Sequence, residues 1–484
     1  MNLPFGRGRT SPRTERDPWT WLFGALMVVA VGIVLGTQYV APDKRVLAVM
    51  AAVVVLGIAW RLDLVSGIGF MLLLLPFPRS NVYGSTNVAF ILLLLILWFL
   101  RVSQGYAARP RRTALDAPMI ALLIAFLISF YNVESKNLRY ALANYATLLA
   151  GVSLYYLIVQ NVRTSKDLER IHGFQLITIT VVCLIAVFEL NHPGGVLIPG
   201  WIDFHATTGE ALNTRNIRVG GPFFDFELLS EFCAISTMLV LFHLLRARSA
   251  ARRVMMAGLL MLVTFIQFAT VTRGGIIALI IGMFFLVWLL RKRVRFVPLV
   301  LTITTAVALL GMMNWYVANY TRSGDLLKRV LDPATFELEH GMPLNRGKLW
   351  TQAFERMMRH PIIGHGPYYD VERGTTFWYW PHNGYLFIGN LVGIIGLVIY
   401  VWLLVLMWRQ TKPGTRNYDD PDYANAFLVF AHAQLFVFLV DQFKIDFMRN
   451  SIYTLHVFVM WGVFAATAAI VREQRSDGTL AAVS

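Results

Sequence analysis

Long apolar runs, broken by short clusters of charge or by Gly and Pro, recur along nearly the whole of this 484-residue chain. A helix needs roughly 20 mostly apolar residues to cross about 30 Å of hydrocarbon. Such runs are predicted at 19–40, 46–60, 62–77, 87–100, 117–131, 139–160, 172–190, 223–245, 254–271, 274–290, 297–318, 384–408, 424–440 and 448–470. The pattern predicts an all-α polytopic membrane protein with about 14 transmembrane helices. The second and third runs are short and parted only by Arg61 and Asp63, so a re-entrant pair over 46–77 stands beside two full spans.

The same pattern sets the domain order. A polar tail at 1–18 precedes transmembrane helices over 19–318; a long loop at 319–383, transmembrane helices over 384–470 and a tail at 471–484 follow. Composition agrees: 57% of residues are apolar and 15% charged, which excludes a soluble enzyme, a disordered chain and a disulfide-stapled secreted domain. Cys183 and Cys233 both fall inside apolar runs. The run at 19–40 is too long for the apolar core of a signal peptide and is read as a span. No internal repeat is visible, which argues against an inverted-repeat transporter.

Net charge is +15, which by itself admits nucleic acid, anionic lipid or a phosphorylated substrate. Position narrows the choice. Most of the 43 Lys and Arg lie in alternate short loops: Arg7 to Arg16, Arg61, Arg101 to Arg112, Arg163 to Arg170, Arg246 to Arg253, Arg291 to Arg295, Arg409 to Arg416, and Arg472 with Arg475. Basic residues mark the cytoplasmic side, so both termini are expected inside, with the segments 191–222 and 319–383 outside. Long loops in compact proteins are usually functional.

The candidate chemistry sits on that outer side. Within 344–359, Leu349, Trp350, Ala353, Phe354, Met357 and Met358 form one helical stripe, with Arg346, Lys348, Arg356 and Arg359 around it. This reads as an interfacial amphipathic helix, ended by Pro361 and followed by a flexible turn at Gly364 and Gly366. An aromatic stretch, Phe377 to Trp380, suits either a headgroup belt or stacking on sugar rings. Then come His382, Asn383, Gly384 and Tyr385 at the mouth of a span; imidazole titrates near pH 6.5 and suits proton transfer from a hydroxyl. Arg273 lies in the tight turn Thr272-Arg273-Gly274-Gly275, and Arg215, Asn216 and Arg218 precede the span at 223–245. Asp225, Glu227 and Glu231 follow inside that run, where the arginines just outside are the expected partners and structural ion pairing the expected role, with coordination or catalysis the alternative. Several arginines at membrane depth suit phosphate oxygens, and a lipid diphosphate presents those at this level.

These residues resemble a family. The Thr272-Arg273-Gly274-Gly275 turn, Arg346 with Trp350, and the stretch His360-Pro361-Ile362-Ile363-Gly364-His365-Gly366 are similar to the O-antigen ligase / O-antigen polymerase superfamily of bacterial envelope glycosyltransferases. So are Pro381 to Leu386 with Gly393 and Gly396, and Arg218 to Phe223; the resemblance covers roughly 210–410. It implies a GT-C-type, inverting, metal-independent transferase that needs no cofactor and takes a glycan from undecaprenyl diphosphate. It implies His382 as base, Arg218 and Arg273 on the diphosphate and Arg346 nearby, to which the residue reading adds Arg215, Asn383, Tyr385 and Trp380 as substrate contacts. It places the protein in the inner membrane with a periplasmic site, working with a lipid-linked glycan donor, a glycan or lipid A-core acceptor, membrane lipid, and chain-length regulator and flippase proteins. Nucleic acid is not expected. The chain departs from the family at Asp225-Phe226-Glu227, where relatives tend to carry neutral Asn and Pro, and at His365, where many carry an apolar residue.

The expected activity is polymerisation of lipid-linked repeats. The alternatives are ligation of finished polymer onto lipid A-core and, more distantly, flipping of the lipid-linked glycan. The histidines His340, His360, His365 and His382 fit no compact metal-ligand spacing.

Overall fold

The computed structural model describes residues 63–77, 87–108, 110–192, 194–198, 202–204, 218–292, 346–369, 380–414 and 418–476, with isolated positions at 50, 57 and between 311 and 328. These residues are mostly helical. In chain order the helices are α1 (Leu64–Leu74), α2 (Asn87–Ser103), α3 (Asp116–Ser129), α4 (Leu138–Asn161), α5 (Ser165–Asn191), α6 (Phe226–Leu245), α7 (Ala250–Ala269), α8 (Arg273–Leu289), α9 (Arg346–Met357), α10 (Gly384–Thr411), α11 (Tyr423–Asp441) and α12 (Ser451–Ser476). A two-stranded antiparallel hairpin, β1 (Val196–Ile198) with β2 (Ile202–Asp203), departs from the all-helical expectation. It is small and packs Ile202 and Phe204 onto Ile185 of α5.

Among the described residues, seven helices are long and apolar enough to cross a membrane: α4 to α7 and α10 to α12. Helices α1, α2, α3 and α8 are apolar but shorter. The predicted run 19–40 and most of 46–60 and 297–318 lie outside the described residues. Helix α1 is only about 16 Å long, half the hydrocarbon thickness. It starts where Asp63 pairs with Arg170 at 2.8 Å and reaches only the level of Thr178, midway along α5, whose hydroxyl donates to Leu72 O.

Short polar side chains start the helices as expected of caps, because the first amides of a helix lack intrahelical partners. Thr164 and Asp167 form a reciprocal capping box on α5, Ser249 accepts from Arg252 N on α7, and Asp422 accepts from Asn425 N on α11. Helix α12 is the centre of the bundle, buried along nearly its whole length against α4, α10 and α11. Helix α6 packs on α7, α8 and α11, and α10 packs on α3 and α9.

The loops sort to opposite ends. Glu227 stands in the first turn of α6 and Arg246 just past its last, about 30 Å apart. At the Arg246 end, Arg246 Nη1 donates to the carbonyls of Tyr418 and Asp420 at 2.9 and 2.8 Å. Arg111 there donates to the carbonyls of Val159 and Val162 and pairs with Glu473 at 3.3 Å. Arginines expected to mark one side of the membrane thus meet at one end, away from Glu227.

Helix α10 is broken. Gly393 lies at φ 69°, ψ −171°, a conformation closed to side chains that carry a Cβ. The turn 361–366 fills the break: His365 N donates to Asn390 O at 2.9 Å, Gly366 N to Leu391 O at 3.0 Å, and Ile394 N to Pro361 O at 2.7 Å. Each bond satisfies a backbone group that the interrupted ladder leaves over, which apolar surroundings demand. The turn expected to be flexible is instead fixed to the helix. His365 Nε2 donates to Arg356 O at 2.8 Å, and burial lowers its pKa to about 4, so this ring is held neutral. A Cβ on Gly393 would overlap the Ile362 carbonyl and lie 2.7 Å from Ile363 N. Gly393→Ala is expected to destabilise the protein by about 2–3 kcal/mol, from backbone strain plus displacement of the turn. Thermal unfolding in detergent checks this, and a midpoint equal to wild type refutes it.

Helix α9 also differs from expectation. Its apolar stripe divides: Leu349, Ala353 and Met357 are buried, on the helix that packs against α10, while Trp350, Phe354 and Met358 are exposed. Arg356, expected on the polar face, is buried with its guanidinium 4.2 Å above the Tyr369 ring.

Candidate active site

The end of the bundle opposite Arg246 gathers the starts of α6, α8, α10 and α12 and the ends of α5, α7 and α11. Four helix N-termini pointing to one region bring partial positive charge there. Phe226, the first residue of α6, is the meeting point. Arg218 lies with its guanidinium 4.3 Å above the Phe226 ring. Thr272, ahead of Arg273, donates its hydroxyl to Phe226 O at 3.3 Å. On the next residue, Glu227, Oε2 stands 2.8 Å from His382 Nδ1. Three segments expected to carry the chemistry therefore converge on two consecutive residues, Phe226 and Glu227.

The turn at Arg273 is close-packed. A Cβ on Gly274 would overlap the Lys444 side chain, and one on Gly275 would overlap Ser230 Oγ and lie 2.9 Å from Gln267 Nε2. Thr272 spends its hydroxyl on Phe226 O and Thr270 O and makes no side-chain cap on α8. Arg273, the first residue of α8, is half-buried.

His382 follows Pro381 at φ 47°, and its side chain keeps 26% of its surface exposed. Asn383 accepts from Leu386 N at 3.0 Å, capping α10, while Gly384 N donates to Gln442 O at 2.7 Å. These bonds tie the start of α10 to the segment after α11. Tyr385 donates its hydroxyl to Leu439 O at 3.2 Å and packs on Phe443. Asn383 Nδ2 donates to Phe443 O at 3.5 Å, so the polar atoms of Asn383 and the hydroxyl of Tyr385 are engaged inside the protein. Trp380 stacks on Tyr369 and lies against Phe387, with Arg356 over the Tyr369 ring.

The carboxylates find a partner that the sequence did not single out. The expected partners of Asp225 and Glu227 are the arginines just outside the span; the structure pairs both with Arg449, whose Nη2 lies 2.7 Å from Asp225 and 2.9 Å from Glu227 Oε2. Arg449 is 7% exposed, in a single helical turn, Phe447–Arg449, that caps the approach to α12. Burial pulls its pKa down, but the charges of Asp225, Asp446 and Glu227 outweigh burial and raise it. Asp446 stands 3.6 Å from Arg449 Nη1, fully buried; burial raises its pKa to about 6 against the opposing pull of Arg449. Glu231, one turn deeper in α6, accepts from Gln442 Nε2 at 3.0 Å. Asp225 also caps α6 by accepting from Glu227 N and Leu228 N.

Residues in the left-handed region cluster here. Phe224 (φ 53°), Val271 (φ 52°) and His382 (φ 47°) are the non-glycine residues with positive φ among those described, and each adjoins one of the converging segments. A β-branched residue such as Val271 there is a steric outlier, and such strain concentrates at functional sites.

Arg215 lies outside the described residues, as do Phe377 to Tyr379 and His340. Arg346 begins α9, and Trp350 follows one turn on. A comparison with curated proteins gives no match. Residues 257–401 match the family model described as O-antigen ligase, a stretch that runs from α7 into α10 and takes in Arg273, Arg346 and His382. Over this region the chain is similar to the O-antigen ligase family, consistent with the O-antigen ligase/polymerase superfamily, and its long apolar helices are those of a polytopic membrane protein.

Proposed function

We propose that the protein is a glycosyltransferase of GT-C type that works at the periplasmic face of the bacterial inner membrane. It polymerises undecaprenyl-diphosphate-linked oligosaccharide repeats into O-antigen or exopolysaccharide, by inverting and metal-independent transfer. The observation that carries the reading is the convergence of Arg218, the Arg273 turn and His382 on Phe226 and its neighbours. In this reading Arg218 and Arg273 bind the donor diphosphate, with the N-terminus of α8 adding its dipole. They also stabilise the charge that builds on the diphosphate as it leaves. His382 accepts the proton of the incoming hydroxyl. Asn383 and Tyr385 act by fixing the backbone that presents His382, and Trp380 offers a ring face to a sugar. Arg215 and Arg346 are assigned to the same anionic donor by their place in the sequence.

Ligation of polymer onto lipid A-core is the second reading, favoured by the description of the matching family. Purified protein incubated with lipid-diphosphate-linked repeats extracted from the producing strain separates the two. A polymerase is expected to yield a ladder of longer lipid-linked chains without added acceptor. Transfer only upon addition of lipid A-core overturns polymerisation in favour of ligation. Movement of the lipid-linked glycan across a liposome with no new glycosidic bond overturns both.

A further inference from the structure

Resting on the reading of His382 as the base, we propose that Glu227 is its positioning residue: it takes the Nδ1 proton, turns Nε2 toward the acceptor hydroxyl, and is itself fixed by Arg449. The geometry supports each link. His382 Nδ1 lies 2.8 Å from Glu227 Oε2, and that same oxygen accepts from Arg449 Nη2 at 2.9 Å. An oxygen that takes a guanidinium hydrogen bond is an acceptor, so Nδ1 is the donor and Nε2 is left as the basic nitrogen. Arg449 is anchored in turn on Asp225, whose other role as the cap of α6 ties the arrangement to the helix start. The side chains of Glu227 and Arg449 are 8% and 7% exposed, whereas His382 keeps 26%, so one edge of the ring is held in the protein and the other is open.

The chemistry balances. The proton of the acceptor hydroxyl passes to Nε2 while the acceptor oxygen bonds to the anomeric carbon. The bond from that carbon to the lipid diphosphate breaks, and its electron pair leaves on the diphosphate. The imidazolium then stands beside the Glu227 carboxylate until it returns its proton to water. This is the orienting and charge-stabilising part that a buried carboxylate plays behind a catalytic histidine. It also gives a role to the acidic Asp225-Phe226-Glu227 sequence.

The test is a pH–rate profile of the full chain in nanodiscs, with lipid-diphosphate-linked repeats from the producing strain as donor. The charged groups that face the pair are Asp225 on α6, Asp441 at the end of α11, and Lys444, Asp446 and Arg449 in the segment before α12. All of them are unchanged in the variants used. Glu227→Gln is expected to lower kcat about 10- to 100-fold. It is also expected to move the acidic limb of the profile toward lower pH by about one unit, because the carboxylate that favours the imidazolium is gone. The double variant Glu227→Gln with His382→Ala is expected to be no slower than His382→Ala alone, since the two act as a unit. Wild-type kcat with an unmoved limb, or losses that multiply in the double variant, would overturn the proposal.

If Glu227→Gln does not accumulate, Glu227→Asp is read in its place. It keeps the charge on a shorter arm, so kcat falls while the acidic limb stays; a wild-type kcat overturns the proposal. Turnover retained in His382→Ala would bring down the reading of the base itself. A slow His382→Ala beside a wild-type Glu227→Gln would leave the base standing and remove only the positioning role.

Discussion

Arg449→Leu is expected to lose about 3–5 kcal/mol of stability at pH 8, the scale of breaking a buried ion pair from one side. Arg449 is the shared partner of Asp225 and Glu227 and stands 3.6 Å from Asp446. Leucine fills much of the volume but leaves carboxylates in a region where Asp446 is fully buried. The loss depends on pH, and its sign follows from Asp446. Burial raises this group from 3.8 to about 6 even with Arg449 beside it. A carboxyl whose folded pKa is raised binds a proton in the folded state that the unfolded chain releases. Its favourable contribution is therefore present below about 3.8 and is lost as pH rises through about 6. Without the guanidinium the upper edge of that window moves higher still. Arg449→Leu should accordingly lie closer to wild type at pH 5 than at pH 8. Unfolding midpoints in detergent at both values test this; a variant within about 2 °C of wild type at pH 8 sinks it.

His382→Ala and Arg273→Ala are each expected to lower turnover at least about 100-fold, or about 2.7 kcal/mol of barrier, while the protein still inserts. His382 keeps part of its surface exposed, and Arg273 is half-buried at a helix start. Arg273→Lys should recover only part of the loss, because an ammonium keeps the charge but not the planar fork. Product formation from lipid-linked repeats, normalised to inserted protein, is the measurement. Near-normal turnover in either alanine variant removes that residue from the mechanism.

The helices were legible because an apolar run of membrane length has one stable solution, and α4 to α7 and α10 to α12 follow the predicted runs closely. The segments of Arg218, Arg273 and His382 were legible for a related reason: charge at the mouth of an apolar run invites explanation. Arg449 was not, because the run at 448–470 absorbs it, and its partners Asp225 and Glu227 lie more than two hundred positions earlier in the chain. A signal was there, since Asp441, Lys444 and Asp446 crowd into the short interval between two runs, just ahead of Arg449. The break in α10 was hidden for another reason. Gly393 in an apolar stretch reads as ordinary helix, and only the docked turn from 361–366 shows that its conformation is required.

That docked turn also sets a length. The segment from Asn383 to Gly393 is held at one end by the Asn383 cap and the Gly384–Gln442 bond, and at the other by the turn seated in the break. It behaves as a gauge block between two fixed stops. Adding or removing one residue rotates everything beyond it by about 100°, so either the cap or the turn must let go. The interval from His382 to the break therefore admits exchanges of side chain but none of length, and in that respect the start of α10 is a ruler laid against His382.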